Sequence, residues 1–377
     1  MRNMESNLEI LIIDDDEFVA ESVSAILNEL GYYSICFNSA ERGLAYFHVE
    51  KNPIIILDIN LPKMSGLDIL QEIKKINPST QVIMMTGERD IQNVITSLKL
   101  KATDFLFKPF SVQTVNLSIQ RALEYYNLIK EKESYQQSIE TDLQLAAKVQ
   151  KKILQPSLSD KKIYTDLQAA NFVSGDFYQI LKLDNSKYFL FLGDLEGHGI
   201  ASGLVSFFII SIIKEIIRIH SNPSFILSRV NDELFKEVIT HSMTAISLLI
   251  EEDKKKIKYA KGGHPSPILF SGKDYSPRFF YEQPGDSLGI LSDVSFNTYE
   301  EHYESGDVLM LYSDGLFSCK NSDLKSKQKE LLKIVSETEK NTETLFSTLK
   351  NCIQKYQQSC LDENCCQDDI SLILYQL

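Results

Sequence analysis

The feature that most constrains the fold is the stretch 111–155, which contains no Gly or Pro and stops where Gln155 meets Pro156. It is rich in Gln, Glu, Lys, Leu and Ala, residue types that favour the helix. As one helix it is roughly 65 Å long at 1.5 Å per residue. Ordinary helices have only ~10–14 residues, so this stretch predicts an unusual structural element.

Apolar residues recur along this predicted helix at spacings of three and four. They are Ala122, Tyr126, Ile129, Leu143, Ala146 and Ile153. The segment 131–138 between them is polar on nearly every face. A helix that cannot bury its own middle needs a partner helix or flanking domains. We therefore predict a helical linker at 111–155 that couples an input domain to an output domain and pairs as a coiled coil. A solvated spacer helix is the plain alternative.

Length and composition restrict the class of protein. At ~150 residues per domain, 377 residues predict two or three domains. The net charge of -13, without a long basic run, argues against nonspecific nucleic-acid binding. The first residues lack the pattern of a signal peptide, and the longest near-apolar run, 200–213, is too short to span a membrane. The sequence therefore predicts a cytoplasmic chain. Its six cysteines, without a C-x2-C pair, fit reduced thiols.

Four short apolar runs in the first 110 residues fit buried parallel strands. They are 8–13, 53–57, 81–85 and 105–107. Helical patterns separate them, and the first of these, from Val19 to Leu30, stops at Gly31. Alternation of strands and helices predicts a doubly wound α/β sheet.

Each of these predicted strands ends in a polar side chain. The residues are Asp14 and Asp15, Asp58, Thr86 and Lys108. Functional sites of such sheets lie at the carboxyl ends of the strands. Three carboxylates brought together repel one another, so we expect a hard divalent cation such as Mg²⁺ among them. A lysine beside them would neutralise a phosphoryl group.

The motifs LIIDDDE, ILDINLPKMSG, MMTG and FLFKPF resemble the receiver domain of two-component response regulators, over about residues 7–122. The resemblance implies a five-stranded domain at 1–122, phosphorylated by a cognate sensor histidine kinase. It implies that Asp58 is the phosphoacceptor and that Phe105 reorients on activation. It further implies a Mg²⁺ site made of Asp14, Asp15, Asp58 and the Asn60 backbone carbonyl, with Thr86 and Lys108 contacting the phosphoryl group. A carboxylate can accept a phosphoryl group covalently, and the added charge can switch a loop.

Beyond Pro156 the pattern becomes rich in strands. Strands are predicted at 187–192, 244–251, 256–261, 308–312 and 370–374, and helices at 201–220, after Ser221-Asn-Pro, and within 325–356. Strands, two helices, more strands and a final helical stretch predict an α+β layered fold at 156–377.

Four aspartates lie at ends of these strands, namely Asp176, Asp194, Asp314 and Asp368. Carboxylates from separate strands indicate a two-metal oxygen site, which clamps a phosphate and produces a nucleophilic water at neutral pH. Because Asp-Gly pairs are also ordinary turn signals, the prediction depends on the whole set rather than on any one pair.

The motifs SGDFYQI, GDLEGHG, KGGHPSPIL, PGDSLGIL, GDVLMLYSDGL and QDDISLIL resemble the bacterial PP2C branch of metal-dependent serine/threonine phosphatases, the SpoIIE/RsbU-like type. DLQLAAKVQKKILQPS resembles the helix that precedes that domain, so the resemblance covers about residues 140–377. It implies that Asp194 bridges two Mn²⁺ or Mg²⁺ ions, with the Leu195 carbonyl as a further ligand. Asp314 and Asp368 would complete the coordination of one ion, and Asp176 would support the other. Of the neighbouring pair Asp368 and Asp369, Asp369 is the less favoured ligand.

The chain departs from this family pattern at three positions. Ser174 replaces the first of two usual glycines, Glu196 stands where a small residue is usual, and Ser318 stands where an acid often follows. Glu196 adds charge beside the predicted metals but removes no ligand. Two histidines next to glycine, His198 and His264, are candidates for the general acid, and we predict this role for His198. The alternative for each histidine is that it holds its loop by hydrogen bonds.

Together these observations predict a response regulator whose phosphorylation at Asp58 controls a phosphoserine/phosphothreonine phosphatase. The resemblance implies a phosphorylated anti-sigma-factor antagonist as substrate, in a partner-switching pathway, and the linker predicts a homodimer. The alternative is a catalytically idle binding module that titrates a partner; the four retained aspartates disfavour it. A cyclase output lacks its motif, and a DNA-binding output lacks a basic helix-turn-helix.

Overall fold

The computed structural model describes residues 8–87, 91–155, 163–197, 199–237, 242–281, 285–317, 324–338, 341–362 and 368–377. The chain folds into two compact units, Met1–Ile139 and Glu140–Leu377. They are called the N-terminal unit and the C-terminal unit below, and each is described by itself.

The N-terminal unit is a five-stranded parallel sheet. Its strands are β1 (Glu9–Ile13), β2 (Tyr33–Phe37), β3 (Ile54–Asp58), β4 (Gln81–Thr86) and β5 (Asp104–Phe107). Its helices are α1 (Glu17–Glu29), α2 (Ala40–Glu50), α3 (Gly66–Ile76), α4 (Ile91–Lys99) and the start of α5 (Val112–Leu154). The strand order β2-β1-β3-β4-β5, with every pairing parallel, confirms the predicted doubly wound fold.

Apolar strands and capped helices explain this arrangement locally. Every residue of β3 and β4 is buried, as expected for strands covered by helices on both faces. The carboxylate of Asp16 caps α1 by accepting hydrogen bonds from the amides of Phe18 and Val19. Just after α1, Gly31 has a φ of 86°, a left-handed conformation that suits glycine.

The predicted linker is a single uninterrupted helix, α5, of 43 residues. Its first turns bury Val115, Ile119 and Ala122 in the core of the N-terminal unit. Its last turn buries Leu154 in the core of the C-terminal unit. Residues 131–140 between them are all exposed. The apolar ends of the helix are therefore buried and its polar middle is exposed, as the sequence pattern predicts.

The C-terminal unit contains two five-stranded sheets. Its strands are β6 (Ile163–Gln168), β7 (Phe177–Lys182), β8 (Lys187–Leu195), β9 (Met243–Glu251), β10 (Lys256–Gly262), β11 (Ile268–Phe270), β12 (Pro277–Phe279), β13 (Tyr299–His302), β14 (Val308–Tyr312) and β15 (Ile370–Gln376). Its helices, after the end of α5, are α6 (Ile200–Ile216), α7 (Pro223–Glu237), α8 (Leu324–Glu337) and α9 (Thr342–Asp362). One sheet has the order β13-β10-β9-β8-β7 and the other β12-β11-β14-β15-β6.

The two sheets share one apolar core. Side chains of β7, β8 and β9 pack with Leu311 of β14 and with Ile373 and Tyr375 of β15. A hydrogen bond of 2.9 Å from the Tyr178 hydroxyl to Thr165 Oγ1 joins β7 of one sheet to β6 of the other. This packing confirms the predicted layered α+β fold.

Several details differ from the sequence-based prediction. The helix predicted at 201–220 ends at Ile216, and the helical region 325–356 is two helices, α8 and α9. No helix in the described part of the chain combines the length and apolar character needed to cross a bilayer.

Candidate functional sites

The carboxyl ends of the parallel strands bring the predicted polar residues of the N-terminal unit together. Asp14 follows β1, Asp58 ends β3, Thr86 ends β4 and Lys108 follows β5. Oxygen atoms of Asp14, Asp15 and Asp58 all lie within 4.8 Å of one another. Asp14 and Asp58 are buried whereas Asp15 is exposed. The cluster can therefore hold a small, hard cation at its open side.

Lys108 supplies a positive charge to this cluster. Its Nζ lies 2.6 Å from Asp14 Oδ2 and 2.7 Å from Asp58 Oδ1. Burial lowers the pKa of Lys108, but these two carboxylates outweigh burial and raise it. For Asp14 the directions are reversed: burial raises its pKa, and the hydrogen bond from Lys108 lowers it. The site thus contains its own counter-charge.

The other predicted residues surround this cluster. Asp58 Oδ2 accepts a hydrogen bond of 2.8 Å from the amide of Asn60. Thr86 is buried, and Phe105 packs partly buried against the core beside β4. A Cβ on Gly66 would lie 2.1 Å from the Asp58 carbonyl, so only glycine permits the loop after β3 to return this closely before α3.

Both sheets of the C-terminal unit contribute to the second site. Asp176 immediately precedes β7, and Asp194 lies near the end of β8, where Phe177 pairs with Gly193. Asp314 follows β14, and Asp368 lies two residues before β15 of the other sheet. A hydrogen bond of 3.1 Å from the Ser313 amide to the Ser371 carbonyl keeps these last two strand ends adjacent.

Among the four carboxylates, Asp194 is the one that interacts with each of the other three, Asp176, Asp314 and Asp368. Burial and the charge of Asp194 raise the pKa of Asp176 well above its usual range. Burial, Asp314 and Asp368 raise the pKa of Asp194 to about 7. Burial and Asp368 also raise the pKa of Asp314. The folded chain thus holds negative charges close together at some electrostatic cost.

Asp176 is the least satisfied of these groups. It is 1% exposed, and neither of its carboxylate oxygens has a hydrogen-bond partner within the described ranges. The Ser313 and Ser371 hydroxyls partly offset the rise in its pKa without reaching hydrogen-bond geometry. In the described part of the chain, no Lys or Arg forms an ion pair with Asp176 or Asp194. Buried, unpartnered carboxylate oxygens are the ligands that a hard divalent cation requires, so the residues present fit a metal.

Asp369 plays a structural part that differs from that of its neighbour Asp368. It is 4% exposed. Its Oδ1 accepts a hydrogen bond of 2.7 Å from the Ala170 amide, and its Oδ2 one of 2.5 Å from the Gly175 amide. Both oxygens are therefore occupied by backbone amides, and the side chain ties the start of β15 to the loop before β7.

The remaining predicted residues are placed as follows. A Cβ on Gly175 would lie 2.9 Å from the Leu195 carbonyl, so that carbonyl lies against the Asp176 loop. Glu196 is exposed, and its Oε2 accepts a hydrogen bond of 2.6 Å from Ser242 Oγ. The predicted general acid His198, together with Ser318, lies outside the described residues.

His264 is unsuited to the role of general acid. It is 3% exposed, and its Nδ1 lies 2.9 Å from Thr244 Oγ1. Burial, with Lys261 as a smaller cause, lowers the pKa of His264 to about 3. It is therefore neutral at pH 7 and has no readily donated proton. The alternative interpretation, a histidine that holds its loop, fits this geometry.

Comparison with known proteins agrees with both folds. Residues 10–120 match the response regulator receiver domain. The probable transcriptional regulator ycf27 of Guillardia theta is 33% identical over 125 residues, which cover 33% of this chain and 49% of that protein. The phosphoserine phosphatase RsbU of Bacillus subtilis is 28% identical over 210 residues, which cover 54% of this chain and 61% of that protein. The chain thus matches less than two thirds of the length of these relatives.

Among solved structures, the SiaA-PP2C domain of Pseudomonas aeruginosa is similar to the C-terminal part of the chain. The TM-score is 0.54 at 16% identity, with 64% of this chain and 98% of that chain covered. At this identity the similarity shows the fold alone. The molecule is therefore a receiver domain joined to a domain of the PP2C phosphatase fold. Residues 184–377, more than half of the chain, match the stage II sporulation protein E family, and the chain belongs to that family.

Proposed function

We propose that this protein is a response regulator whose phosphorylation at Asp58 controls a metal-dependent phosphoserine/phosphothreonine phosphatase. The observation that carries the proposal is the interacting pair of the buried Asp176 and the half-buried Asp194, neither of which has an ion-pair partner in the described ranges. Such a pair needs cations, and a cation cluster that binds a phosphate is the basis of metal-assisted phosphoester hydrolysis.

In this proposal the four aspartates would hold two Mn²⁺ or Mg²⁺ ions. Asp194, which interacts with each of the other three, would be the ligand shared by both ions, with the Leu195 carbonyl as a further ligand. Asp314 and Asp368 would hold one ion, and Asp176 would support the other. When bound, the ions supply the positive charge that a transferring phosphoryl group needs and acidify an attacking water.

The protein's own residues have separate tasks around that site. Asp369 fixes the loop of Asp176 to the start of β15. Neutral His264 holds Thr244, which pairs with Asp194 across β8 and β9. His198 remains the proposed general acid for the leaving serine or threonine oxygen. These tasks favour a site formed by the framework before the substrate arrives.

The input side of the proposal is the N-terminal unit, with the receiver proposed at 1–122. A cognate sensor histidine kinase would phosphorylate Asp58, with one Mg²⁺ held by Asp14, Asp15, Asp58 and the Asn60 carbonyl. Lys108 and Thr86 would contact the phosphoryl group, and Phe105 would reorient with it. Lys108 already contacts Asp58 at 2.7 Å, so a change of charge at Asp58 acts on it directly.

The proposed output domain is 156–377, and the helical linker is 111–155. Following the resemblance of its C-terminal motifs to the SpoIIE/RsbU-like phosphatases, we propose a phosphorylated anti-sigma-factor antagonist as substrate, in a partner-switching pathway. The similar RsbU of Bacillus subtilis is a phosphoserine phosphatase.

The exposed face of α5 supports a homodimer. Leu128, Tyr135 and Ile139 are more than half exposed and recur at spacings of seven and four, as in a coiled-coil seam. The mass of the full chain in solution tests this, with Tyr135→Lys as the disrupting variant and Gln136→Lys as control. A wild-type monomer would contradict the homodimer.

The decisive experiment measures phosphate release from a phosphoserine peptide with Mn²⁺. It compares the wild type, Asp194→Asn, and wild type treated with beryllofluoride, which mimics phosphorylation of Asp58. We expect Asp194→Asn to lower activity by on the order of 10²- to 10³-fold or more, because it removes a central carboxylate from the charge-stabilising site. Beryllofluoride is expected to change the wild-type rate.

The outcomes separate the two halves of the proposal. Activity that needs Asp194 but ignores beryllofluoride would retain the enzyme and reject the switch. Mn²⁺ binding without phosphate release from any phosphopeptide or phosphorylated protein would reject the enzyme and favour the alternative, a binding module that titrates a partner.

A further inference from the structure

The loop 173–176 leads directly to Asp176, and different parts of the fold hold its successive residues. Val173 packs so closely against α6 that a Cβ on Gly203 would lie 2.3 Å from its Cγ1. The Gly175 amide donates to Asp369. A Cβ on Gly175 would also lie 2.7 Å from the Gly197 carbonyl, so there is no free space on that side. The loop is therefore fixed through its backbone.

Ser174 is held by the side chain of Gln150, which projects from α5. Gln150 Nε2 donates a hydrogen bond of 2.7 Å to the Ser174 carbonyl, and the Ser174 amide donates one of 3.0 Å to Gln150 Oε1. Gln150 is 3% exposed and Ser174 is fully buried. Two hydrogen bonds from one planar amide fix both the position and the direction of the main chain. Buried hydrogen bonds of this kind are costly to break.

We infer that Gln150 is a positioning residue for the metal site, acting on Asp176 through the backbone of Ser174. The inference rests on the proposed function, and it names a residue of α5 that sets the geometry of that function. It assigns the last two turns of the helix a role in metal binding.

The two carboxylate oxygens of Asp176 have no hydrogen-bond partner in the described residues, so no hydrogen bond orients its side chain. Its position therefore follows the main chain at 174–176, and Gln150 holds that main chain. A polar residue four positions before Leu154, on the buried face of the helix, otherwise has no need for an amide group, because a methionine would fill the same space.

The same contact gives α5 a route to the site. Gln150 and Leu154 lie one turn apart, and Leu154 anchors the helix in the core. A shift or rotation of the last turns would move the Gln150 amide, and both hydrogen bonds would pass that movement to Ser174. Asp176 is two residues away, so the metal site would respond to the position of the helix.

The test uses the full-length protein and two variants of the same chemical kind. Gln150→Met keeps the volume and removes both hydrogen bonds, whereas Gln144→Met makes the same change at an exposed position of α5. Calorimetry measures Mn²⁺ affinity, and hydrogen exchange measures protection of the amides at 174–176. We expect Gln150→Met to weaken Mn²⁺ binding on the order of ten-fold, the lower end of the range for groups that orient a metal ligand. Exchange at Ser174 should accelerate, and Gln144→Met should match the wild type.

A third variant, Leu227→Ala, separates positioning from stability. It removes core packing of α7 in the same unit and leaves α5 and its bonds to the loop in place, so it should destabilise the unit and leave Mn²⁺ affinity close to that of the wild type. In the activity assay, saturating Mn²⁺ should restore the rate of Gln150→Met with an unchanged KM for the phosphopeptide. A residue that only stabilises the fold would not give this recovery.

Two results would overturn the inference. One is an unchanged Mn²⁺ affinity in Gln150→Met. The other is a loss of affinity in Leu227→Ala as large as that in Gln150→Met. Both differ from failure of the proposed function, since a wild type that binds Mn²⁺ but releases no phosphate leaves the comparison of affinities intact. A wild type that binds no Mn²⁺ would overturn the proposed metal site, and this inference with it.

Discussion

The two carboxylate clusters of this protein differ in the source of their counter-charge. In the N-terminal unit, Lys108 lies within 2.7 Å of both Asp14 and Asp58. In the C-terminal unit, Asp176 and Asp194 have no such lysine or arginine within the ranges described. Burial and the charge of Asp194 raise the pKa of Asp176, and burial, Asp314 and Asp368 raise that of Asp194. A lysine of the fold partly neutralises the first cluster, and the second has no such side chain within the ranges described.

This difference teaches what each site requires before it can act. The first cluster can be charged and ordered without an ion, because its cation is a side chain. In the second, the pKa values of Asp176, Asp194 and Asp314 are raised in the absence of a cation, so metal binding there should release protons and depend on pH.

Removing the lysine should make the first cluster resemble the second. Lys108→Met leaves Asp14 and Asp58 buried without a cation, and we expect it to destabilise the N-terminal unit by about 3–5 kcal/mol. Unit-specific hydrogen exchange without Mg²⁺ measures the change. Lys130→Met removes an exposed ion pair with Glu133 and should change stability by less than about 1 kcal/mol. Equal effects of the two variants would contradict the contrast.

Removing a carboxylate from the second cluster should have the opposite sign. Asp194→Asn should stabilise the metal-free C-terminal unit by about 2–4 kcal/mol at pH 8, at about 1.4 kcal/mol per pKa unit. The folded pKa of Asp194, about 7, exceeds its unfolded value. The wild type is therefore fully stable with respect to this group only at low pH, and loses stability as pH rises towards and through 7.

The advantage of Asp194→Asn over the wild type should therefore be near zero at pH 4 and grow up to pH 8. Chemical denaturation without metal at several pH values measures it, and saturating Mn²⁺ should reverse its sign. An Asp194→Asn variant that is less stable than the wild type at pH 8 without metal would contradict the contrast.

A buried histidine adds a pH response of the other sign. His264 has a folded pKa of about 3, below its unfolded value, so its contribution to stability is present above about pH 6.5 and is lost as pH falls. By pH 5 the loss reaches about 2 kcal/mol. His264→Gln, which can still bond Thr244, should flatten this part of the profile. Parallel profiles for the two proteins below pH 6.5 would show that His264 is not responsible.

The charge beside the second cluster should have the smallest effect. Glu196 is exposed and engaged with Ser242. Glu196→Gln should therefore change the stability of the metal-free protein by no more than about 0.5 kcal/mol. Chemical denaturation measures it against the wild type. A change in stability comparable to that of Asp194→Asn would mean that Glu196 interacts with the cluster of four aspartates.

The sequence predicted the strands whose residues are apolar throughout and the long helix that no Gly or Pro interrupts. The strands β3, β4, β14 and β15 are apolar runs followed or preceded by polar site residues, and α5 is marked by the absence of Gly and Pro. Strands with weaker patterns were not predicted. The edge strand β2 is half-exposed, and β12 at the edge of its sheet has all three residues exposed. Such strands depend on their neighbours for pairing, which local pattern does not reveal.

The same limit applies to the sites. Strand-end position was enough to predict that Asp14, Asp58 and Lys108 lie together, and the structure brings them together; their roles stay proposals. Asp369 and Gln150 act through backbone atoms of distant residues. The one signal for Gln150 was a polar residue on the apolar face between Ala146 and Leu154. That signal marks a buried hydrogen bond but does not identify its partner.

The neighbouring aspartates 368 and 369 have a practical consequence for anyone who needs an inactive form of this protein. The side chain of Asp369 accepts hydrogen bonds from the backbone amides of Ala170 and Gly175 and so connects the two sheets. Asp368, in contrast, is exposed at the site. Asp368→Asn should therefore give a folded, inactive protein that can still bind a partner. Asp369→Asn should instead weaken the contact between the sheets, and a loss of activity in that variant could reflect the changed fold rather than the chemistry of the site.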